Sequence, residues 1–528
     1  MKSLAHWIHA HAEASPDAVA FYCEGEAYSW SRYARDSDRL AAHLLASGFA
    51  AGERLAVLLP DGPGVHAAYV ACEKAGLVAV GIGPRAGAAE VRHLIQRTRA
   101  AGLLSHSHHR DLNLAQLAEA LRADGGPLRR HLVVSDPGAG DEGLHVDGET
   151  ISDMEVKPSL STAQALEPDA PFLLNSTSGT TGLPKCVVHD QQRWFHFHEL
   201  AVEAGRLTPS DVFLSALPAP FGFGIWTAHV TPTLLGAPCV LVPNFDAAEL
   251  LRTLETQRVT VLAAVSTQFI MMLDSPACKT ADLSSLRVLF TGGEAVPYER
   301  AAEFEERTGA SVLQFYGSNE TGALSRTTLA DAREVRLRTA GHVIEAMQVR
   351  LYDESGRDVT ASGQGQAACR GPLLSQGYYE DDAANAELYT DDGWMLTGDI
   401  ASIDADGILR VTGRSADFII RGGKNISAAV VEAAVSSHPS VSLAAAVAMP
   451  DPVFGERVCV YAELRPGTSL DLAELLAHLR QRGTSVESLP EQLIVLQELP
   501  RASGGKVAKQ ALREDIAKRL EAPGRDPS

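Results

Sequence analysis

The stretch ERLAVLLPDGPGVHAAYVACEKAGLVAVGIG, residues 53–83, decides the fold class of this chain. An apolar run, ERLAVLLP, precedes a helix-like segment that ends at a glycine, and a second apolar run, LVAVGIG, follows it. Alternation of strand-like and helix-like segments predicts βαβ units with a largely parallel sheet. The same order returns between residues 211 and 315. We therefore predict an α/β protein.

A different pattern follows this region. After about residue 340, MQVRLYDESGRDV and GILRVTGRSADFIIRGG are typical of strands and hairpins. The C-terminal part has its own αβ pattern, with helices predicted at AAVVEAAVSSHPSV and DLAELLAHLRQR. We predict a domain boundary near Gly413–Asp417, where a short polar joint interrupts the strands, and a loop over residues 136–170, which are rich in Gly, Asp and Pro.

The composition excludes some classes of function. The chain has 528 residues and a formal net charge of -20, which argues against nucleic-acid binding because a phosphate backbone requires a basic face. Seven scattered cysteines without a C-x-x-C pair predict reduced, buried thiols in a cytoplasmic protein. The N-terminus lacks a signal-peptide pattern, and VTVLAAVSTQFIMML, residues 259–273, is too short and polar to span a membrane.

The segment LLNSTSGTTGLPKCVVH, residues 173–189, is the first candidate for chemistry. Glycines let a backbone approach an anion, N–H groups and hydroxyls donate hydrogen bonds, and a lysine supplies charge. The spacing is not that of a Walker loop, so from these residues alone a phosphate site and a polar surface loop are equally open. The candidate residues are Ser176, Thr177, Ser178, Gly179, Thr180, Thr181, Gly182 and Lys185.

Three more segments carry groups suited to a nucleotide. In QFYGSNETGA, residues 314–323, Tyr316 offers a ring for stacking and Glu320 an oxygen ligand for Mg²⁺, although a hairpin turn explains the pattern as well. Asp399 can accept hydrogen bonds from both ribose hydroxyls, and Arg414 adds a fork of donors. In LPRASGGKVAKQALRE, Lys506 follows two glycines, a position where a lysine is usually only solvated.

Together, in this order and spacing, the segments resemble the adenylate-forming superfamily of acyl- and aryl-CoA synthetases, luciferases and peptide-synthetase adenylation domains. The resemblance extends from ASPDAVAF to GKVAKQALRE, and the chain is most like an aryl- or acyl-CoA ligase. It implies a large N-terminal domain of stacked αβ layers (residues 1–413), a hinge (414–417) and a small mobile C-terminal α+β lid domain (418–528). It also implies ATP, Mg²⁺ and coenzyme A as cofactors.

The resemblance assigns a role to each candidate residue. Catalytic roles go to Lys506, which reaches the α-phosphate and carboxylate oxygens, and to Glu320, which binds Mg²⁺. The Ser176–Lys185 loop binds the β- and γ-phosphates. The other implied nucleotide contacts are Tyr316 on adenine, Asp399 and Arg414 on the ribose, Asn319 on the α-phosphate, and Gly292 and Gly293 beside the nucleotide and acyl group. Gly422 and Gly423 line the pantetheine tunnel.

These roles imply a mechanism in two steps. Positive charge from Mg²⁺ and Lys506 offsets the repulsion between a carboxylate and ATP, so that acyl-AMP forms and pyrophosphate leaves. A thiol then displaces AMP. Lys506 belongs to the first step only, and rotation of the lid about residues 414–417 removes it and admits the thiol.

Three positions depart from the family pattern. Asn319 stands where a threonine is usual, and its amide can still donate to the α-phosphate. Ala416 stands where the hinge usually carries Asp or Lys, so lid rotation relies on Asp417 or on packing. Phe221 stands in LPAPFGFG where many CoA ligases carry a histidine, and a phenyl ring cannot form the same polar contacts.

The acyl-pocket positions favour a ring-shaped acid. Residues 221–224 contain no carboxylate, so an α-amino acid would leave its ammonium unpaired. Two aromatic side chains opposite small residues indicate an aromatic or alicyclic acid, with a medium-chain or polycyclic acid and ordinary core packing as open alternatives. The pocket residues are Phe221, Phe315, Gly317, Gly322 and Ala323.

We therefore predict an ATP-dependent acid–thiol ligase that acts on a small-molecule carboxylic acid. Coenzyme A is the expected acceptor and a carrier-protein phosphopantetheine the alternative, while a nucleotide-binding protein without catalysis is a weaker one. A monomer or homodimer without nucleic-acid or membrane partners is expected. His106, His108 and His109 invite a metal hypothesis, but their spacing favours a solvated loop.

Overall fold

The fold is that of a computed structural model, which describes residues 2–134, 144–146, 149–151, 165–177, 184–294, 296–353, 355–414, 417–421, 424–502 and 506–521. The chain forms two compact units. The first unit contains residues 1–245, 257–263 and 372–387, and the second contains residues 246–256, 264–371 and 388–528.

The first unit begins with a helix, a β-hairpin and a series of βαβ units. Its elements up to residue 151 are α1 (Leu4–Ala14), β1 (Val19–Cys23), β2 (Glu26–Ser29), α2 (Trp30–Ala46), β3 (Arg54–Leu58), α3 (Pro63–Lys74), β4 (Val78–Gly81), α4 (Ala88–Arg97), β5 (Gly102–Ser105), β6 (His108–His109), β7 (Leu112–Asn113), α5 (Leu114–Ala123), β8 (Arg130–Val134), β9 (Leu144–Val146) and β10 (Glu149–Ile151).

The βαβ unit predicted from residues 53–83 is confirmed. Strands β3 and β4 pair in parallel and α3 connects them. Pro63 stands at the start of α3, where its missing N–H is not needed, and Gly76, with φ of 71°, follows the end of the helix.

The chain between residues 165 and 263 contributes β11 (Pro171–Ser176), β12 (Cys186–Asp190), α6 (Gln191–Gly205), β13 (Phe213–Ser215), α7 (Gly222–Gly224), a π-helical stretch (Ile225–Val230), α8 (Thr231–Leu235), β14 (Cys239–Leu241), α9 (Ala247–Thr256, in the second unit) and β15 (Val261–Ala263).

Two groups of strands organise the first unit. One sheet has the order β10-β9-β8-β5-β3-β4-β11-β12, parallel from β8 to β11 and antiparallel at both ends. Its helix-covered core includes Val80, Leu94, Leu103 and Leu121. The other group has the order β15-β13-β14-β1-β2, parallel except for the β1–β2 hairpin.

The prediction of a loop over residues 136–170 is wrong for two short stretches, Leu144–Val146 and Glu149–Ile151, because these residues form the antiparallel strands β9 and β10. The dipeptide Asp147-Gly148 between them is typical of two-residue hairpins, a signal that the overall composition obscured. Most of the remaining predicted loop lies outside the described residues.

The second unit continues with α10 (Ser266–Asp274), β16 (Val288–Gly292), α11 (Tyr298–Thr308), β17 (Ser311–Ser318), β18 (Gly322–Arg326), α12 (Arg333–Arg338), β19 (His342–Val343), β20 (Gln348–Tyr352), β21 (Gln364–Arg370), α13 (Asp382–Leu388, largely in the first unit), β22 (Met395–Ile403) and β23 (Leu409–Arg414). Its strands β16 and β17 are parallel, β17 and β18 form a hairpin, and β20 to β23 form an antiparallel sheet.

The C-terminal elements of the second unit are β24 (Phe418–Arg421), β25 (Lys424–Ser427), α14 (Ala428–Ser436), β26 (Val441–Asp451), β27 (Gly455–Leu464), α15 (Leu472–Gln481), β28 (Gln492–Val495) and α16 (Lys509–Glu521). Their sheet has the order β25-β24-β27-β26, with β28 parallel to β27. Val431, Val460 and Leu475 belong to one core between this sheet and its helices, which confirms the predicted αβ pattern.

The compact units do not follow the predicted boundary at residues 414–417, since the second unit contains the whole C-terminal part together with residues 264–371. Ser415 and Ala416 lie outside the described residues. Asp417 accepts a hydrogen bond from Arg513 of α16 at 2.5 Å, and its carboxylate lies 3.4 Å from Nζ of Lys509. The described end of the predicted hinge is therefore attached to α16, and the hinge itself stays a prediction.

The cysteine prediction is confirmed where the structure tests it. None of the seven cysteines is paired, six are buried and Cys23 is half-buried. Within the described ranges, no helix combines the length and the apolar character that a bilayer span requires.

Candidate active site

The end of β16 brings two predicted residues close together. Gly292 packs on the next strand so tightly that a Cβ there would lie 2.3 Å from the carbonyl oxygen of Phe315. Gly293 has φ of 78°, and a Cβ there would lie 2.8 Å from Nζ of Lys506. Only glycine combines this backbone conformation with such a close approach of an ammonium group. The long-range contact places Lys506, from the segment just before α16, beside the glycine pair.

The surroundings of Lys506 contain the other predicted charged residues of the second unit. Burial lowers the pKa of the Lys506 ammonium, and Arg414 lowers it further, whereas Glu294, Glu320 and Asp399 act in the opposite direction. The net effect is a lowered pKa. The structure thus brings Glu320, Asp399, Arg414 and Lys506 into one electrostatic neighbourhood, although they lie far apart in the sequence.

A hydrogen-bonded group joins Tyr316, Asp399 and Arg414. Asp399 and Arg414 are paired across β22 and β23, and Nε of Arg414 donates to Oδ1 of Asp399 at 2.8 Å. The Tyr316 hydroxyl donates to Oδ2 at 2.7 Å. Burial raises the pKa of the Tyr316 hydroxyl, and the neighbouring Asp399 carboxylate raises it further. Burial lowers the pKa of Arg414, whereas Asp399, Asp417 and Tyr316 raise it, and the net effect is a raised pKa.

Glu320 lies in the turn between β17 and β18. The local structure of QFYGSNETGA is therefore a hairpin turn, which was one of the two explanations of this segment. Its N–H donates to Oγ of Ser318 at 3.2 Å, and the N–H of Ser318 donates to Oγ1 of Thr321 at 2.9 Å. Among the described residues there is no cluster of three side chains able to hold a metal ion. A single carboxylate fits Mg²⁺ that takes its other oxygen ligands from substrate phosphates and water.

The Ser176–Lys185 segment is the connection between β11 and β12 in the first unit. At its base, the N–H of Thr177 donates to the carbonyl of Lys185 at 2.9 Å, and Nζ of Lys185 lies 4.8 Å from the ring centroid of Tyr378. Ser176 is buried. The predicted residues Ser178, Gly179, Thr180, Thr181 and Gly182 lie outside the described residues, as do Gly422 and Gly423.

Phe221 is the one predicted acyl-pocket residue in the first unit. Its N–H donates to the carbonyl of Pro218 at 3.2 Å, in the turn that leads into α7 and the π-helical stretch. A Cβ on Gly83 would lie 3.0 Å from Cζ of Phe221, so the absence of a side chain at Gly83 makes room for the ring. π-Helical turns are frequent at functional sites.

The remaining acyl-pocket residues lie on β17 and β18 in the second unit, where packing also explains them. Phe315 is buried, with its ring centroid 5.8 Å from that of Phe290. A Cβ on Gly317 would lie 1.6 Å from the carbonyl oxygen of Gly322, and Ala323 is buried. Their predicted contact with an acid stays a prediction.

The sequence reasoning missed two carboxylates. Glu294 directly follows the glycine pair, and this position in TGGEAVP was the available signal. Asp61 accepts a hydrogen bond from the N–H of Ala219 at 2.7 Å across 158 residues of sequence, and burial raises the pKa of its carboxyl to about 7. Nothing in the sequence links these two distant positions.

Two family models match the chain. The model described as AMP-binding enzyme covers residues 8–379, and that of the AMP-binding enzyme C-terminal domain covers residues 430–506. Among the relatives, the medium-chain fatty-acid–CoA ligase of Escherichia coli is 31% identical over 98% of this chain and 91% of its own. The indoleacetate–CoA ligase of Aromatoleum aromaticum is 31% identical over 98% of both. The 2,3-dihydroxybenzoate-AMP ligase of Bacillus subtilis is 30% identical over 96% and 92%.

Solved structures show the same fold. An anthranilate CoA ligase in complex with anthranoyl-AMP has a TM-score of 0.86 at 22% identity, covering 99% of this chain and 98% of its own. ATP-bound MatB from Rhodopseudomonas palustris has a TM-score of 0.81 at 23% identity, covering 97% and 98%. These likenesses and the two family models confirm the predicted α/β fold with a large N-terminal and a small C-terminal domain. The chain therefore belongs to the AMP-binding enzymes, the adenylate-forming superfamily that its motifs resemble, as an AMP-forming acyl- or aryl-CoA ligase.

Proposed function

We propose that this enzyme activates an aromatic or alicyclic carboxylic acid with ATP and transfers the acyl group from acyl-AMP to the thiol of coenzyme A. The observation that carries the proposal is the position of Lys506 beside Gly293, with Glu320, Asp399 and Arg414 acting on its charge. A carboxylic acid and ATP are both anions, so a site that joins them needs positive charge from Lys506 and from Mg²⁺ bound to Glu320. Asp399 and Arg414 are then available to hold the ribose. Relatives named as ligases for 2,3-dihydroxybenzoate, salicylate, indoleacetate and ferulate favour a ring-bearing acid, with the medium-chain fatty-acid–CoA ligase as the aliphatic exception.

In the first step, a carboxylate oxygen attacks the α-phosphorus of ATP, the bond to the bridging oxygen breaks, and pyrophosphate leaves with that electron pair. The Lys506 ammonium stabilises the charge that develops on the α-phosphate and on the attacking carboxylate. Asp399 accepts hydrogen bonds from the ribose hydroxyls. Its two oxygens already accept from Tyr316 and Arg414, but each oxygen of an ionised carboxylate can accept more than one hydrogen bond. Glu320 would hold Mg²⁺, which when bound supplies positive charge to the phosphates.

In the second step, the thiolate of coenzyme A attacks the acyl carbon and AMP leaves. Lys506 serves only the first step in this proposal. Lid rotation about residues 414–417 removes it and lets Gly422 and Gly423 line the thiol path. Asp417, held by Arg513 and Lys509, would move with α16 during that rotation.

Release of AMP across a panel of carboxylic acids, with and without coenzyme A, tests the proposal. We expect thiol-dependent AMP release with a subset of ring-bearing acids and weak release with α-amino acids. Acid-dependent exchange of pyrophosphate into ATP isolates the first step. If no acid in a broad panel supports exchange, the chain is a nucleotide-binding protein without this chemistry.

The alternative acceptor is a phosphopantetheine arm on a carrier protein. One relative, from Mycobacterium tuberculosis, is named salicyl-AMP ligase and salicyl-S-ArCP synthetase, and it is 29% identical over 94% of this chain. Free coenzyme A and a carrier protein present the same thiol arm, so only turnover separates them. Comparison of turnover with coenzyme A and with a holo carrier protein, whose phosphopantetheine thiol is free, decides between the two acceptors.

A further inference from the structure

The chain between β13 and α7 makes a turn, LPAPF at residues 217–221, that is poor in hydrogen-bond donors. Its two prolines carry no N–H, so residues 218–221 have only the N–H groups of Ala219 and Phe221. The N–H of Phe221 donates to the carbonyl of Pro218 at 3.2 Å, within the turn. Ala219 is buried, so its N–H requires an acceptor from another part of the fold.

Asp61 supplies this acceptor from the loop between β3 and α3. Its Oδ1 accepts a hydrogen bond from the N–H of Ala219 at 2.7 Å. The contact is not a local feature of either loop, because it spans 158 residues of sequence. Both residues belong to the first unit. The side chain of Asp61 therefore ties the turn to the end of a strand in the core sheet.

Three glycines pack closely against the same turn. A Cβ on Gly81 would lie 2.7 Å from Cβ of Pro220, and a Cβ on Gly83 would lie 3.0 Å from Cζ of Phe221. A Cβ on Gly224 would lie 2.2 Å from a carbonyl oxygen of the turn. Contacts as close as these leave the backbone little room for alternative positions. The hydrogen bond from Asp61 is thus one of several contacts that fix the turn.

We infer that Asp61 is a positioning residue for recognition of the acid. By accepting the N–H of Ala219, it holds the turn that places the Phe221 ring, and it thereby sets which ring-bearing acids the enzyme accepts. This inference rests on the proposed function and on the predicted place of Phe221 in the acid pocket. Asp61 touches no substrate in this account and acts only through the turn.

The backbone of Phe221 follows the turn at both of its polar groups. Its N–H is bound within the turn, and its carbonyl accepts from the N–H of Ile225 at 2.9 Å, at the start of the π-helical stretch. The half-buried ring therefore moves when the turn moves. An apolar pocket separates acids mainly by shape, so a shift of one aromatic wall changes the affinity for each acid by a different factor.

Two substitutions separate the hydrogen bond of Asp61 from its charge. Burial raises the pKa of its carboxyl to about 7, so about half of these groups carry no charge near neutral pH. Asp61→Asn keeps the shape and an acceptor oxygen, whereas Asp61→Ala removes the acceptor. Asp246→Ala is the matched control, because the Asp246 carboxylate also accepts one backbone N–H, that of Glu249, at 2.8 Å.

The first experiment measures amide hydrogen exchange of the turn in the free enzyme. Exchange of the full chain is followed by mass spectrometry, and the peptide that covers residues 213–224 is compared among the variants. We expect exchange at Ala219 to be at least about tenfold faster in Asp61→Ala, because its N–H has lost its acceptor. Asp61→Asn and Asp246→Ala should match wild type in this peptide. Unchanged exchange in Asp61→Ala overturns the inference, and this result needs no substrate.

The second experiment measures the choice of acid by steady-state kinetics. In Asp61→Ala, KM for the preferred acid should rise about tenfold and the ranking of the acid panel should change, while KM for ATP stays within about twofold of wild type. Asp61→Asn should restore the wild-type ranking. A merely structural role would lower activity with every acid in the same proportion, and that outcome overturns the inference. If Asp61→Ala does not fold, Asp61→Glu moves the acceptor and gives the same test, with a smaller change expected.

A double variant tests whether Asp61 acts through Phe221. Asp61→Ala should change the ranking of acids in the wild-type background but not in Phe221→Ala, because the ring whose position matters is then absent. A change of equal size in both backgrounds contradicts the inference. If no acid in the panel supports pyrophosphate exchange by the wild type, the proposed function fails instead, and the hydrogen-exchange comparison still decides whether Asp61 holds the turn.

Discussion

The hydroxyl of Tyr316 donates a hydrogen bond to Oδ2 of Asp399 over 2.7 Å. The other carboxylate oxygen accepts from Nε of Arg414, and Asp399 is only 6% exposed. Two donors from different strands therefore fix the orientation of a buried carboxylate before any ligand binds. A carboxylate fixed in this way loses little freedom when it accepts the hydroxyls of a ribose.

Tyr316→Phe tests this arrangement, because it keeps the ring and removes the donor. A lost hydrogen bond to a buried charged group is worth about 1.5–3 kcal/mol. We expect KM for ATP to rise about tenfold or more, with a smaller change in KM for the acid. Steady-state kinetics with each substrate varied in turn provide the measurement. Equal KM values for ATP in the two proteins would show that Tyr316 does not position Asp399 for the nucleotide.

Gly293→Ala should interfere with the first half-reaction. The new Cβ would lie 2.8 Å from Nζ of Lys506, on a backbone with φ of 78° that alanine adopts only with strain. Displacement of the ammonium should reduce pyrophosphate exchange at least about tenfold. Thioester formation from added acyl-AMP should change far less, since Lys506 is assigned to the first step.

Lys506→Ala provides the reference for this result. It should abolish exchange and spare the second half-reaction. If Gly293→Ala acts through Lys506, the double variant should lose no more exchange activity than Lys506→Ala alone, because coupled sites are not additive. Retained exchange in Lys506→Ala, or equal loss of both half-reactions, contradicts the role given to this lysine.

Local patterns predicted much of the secondary structure. The glycine stop after α3, the apolar runs of β3 and β4, and the C-terminal αβ pattern all have short-range signals in the sequence. The β9–β10 hairpin was missed because two three-residue strands are too short to show an alternating pattern. The compact units were also unpredictable, since three separate stretches of chain make up each of them.

The site was predicted through motifs and not through contacts. Lys506, Asp399 and Arg414 were identified by resemblance, and their shared neighbourhood depends on strand pairing that no local pattern reveals. Glu294 accepts a hydrogen bond from the N–H of Thr267, which lies 27 residues earlier in the chain. Asp61 and Ala219 form a comparable long-range contact. Such contacts arise from the packing of complete elements, so single segments do not encode them.

Gly83→Ala should change the choice of acid without affecting the nucleotide. The added Cβ would lie 3.0 Å from Cζ and 3.3 Å from Cε2 of Phe221, so the ring must shift. If Phe221 borders the acid, the variant should change KM for the preferred acid several-fold and alter the ranking of the acid panel. KM for ATP should stay within about twofold of wild type.

Gly87→Ala is the matched control for this substitution. Gly87 precedes α4 with φ of -89°, and a Cβ there would meet no heavy atom within 4 Å. The same chemical change is thus made four positions away without contact to Phe221. Identical acid rankings for Gly83→Ala, Gly87→Ala and wild type would remove Phe221 from the acid-binding surface.

Asp417→Asn should weaken the fold in a manner that depends on pH. Burial raises the pKa of Asp417, but Lys509 and Arg513 outweigh that effect and hold it below its usual value. A carboxyl with a lowered pKa in the folded state stabilises the protein above its unfolded pKa of about 3.9. That stabilisation is lost as the pH falls through the lower folded pKa.

We therefore expect Asp417→Asn to lower the free energy of unfolding by about 1–3 kcal/mol near neutral pH, because Lys509 and Arg513 lose a charged partner. The difference from wild type should shrink as the pH is lowered below about 4, where the carboxyl group of the unfolded chain becomes protonated, and should vanish once the pH has passed the lower pKa of the folded protein. Urea unfolding of the full chain over a pH series measures both effects, with the exposed Asp406→Asn as control. A deficit that stays constant down to acidic pH would show that Asp417 stabilises the fold through its shape and hydrogen bonds and not through its charge.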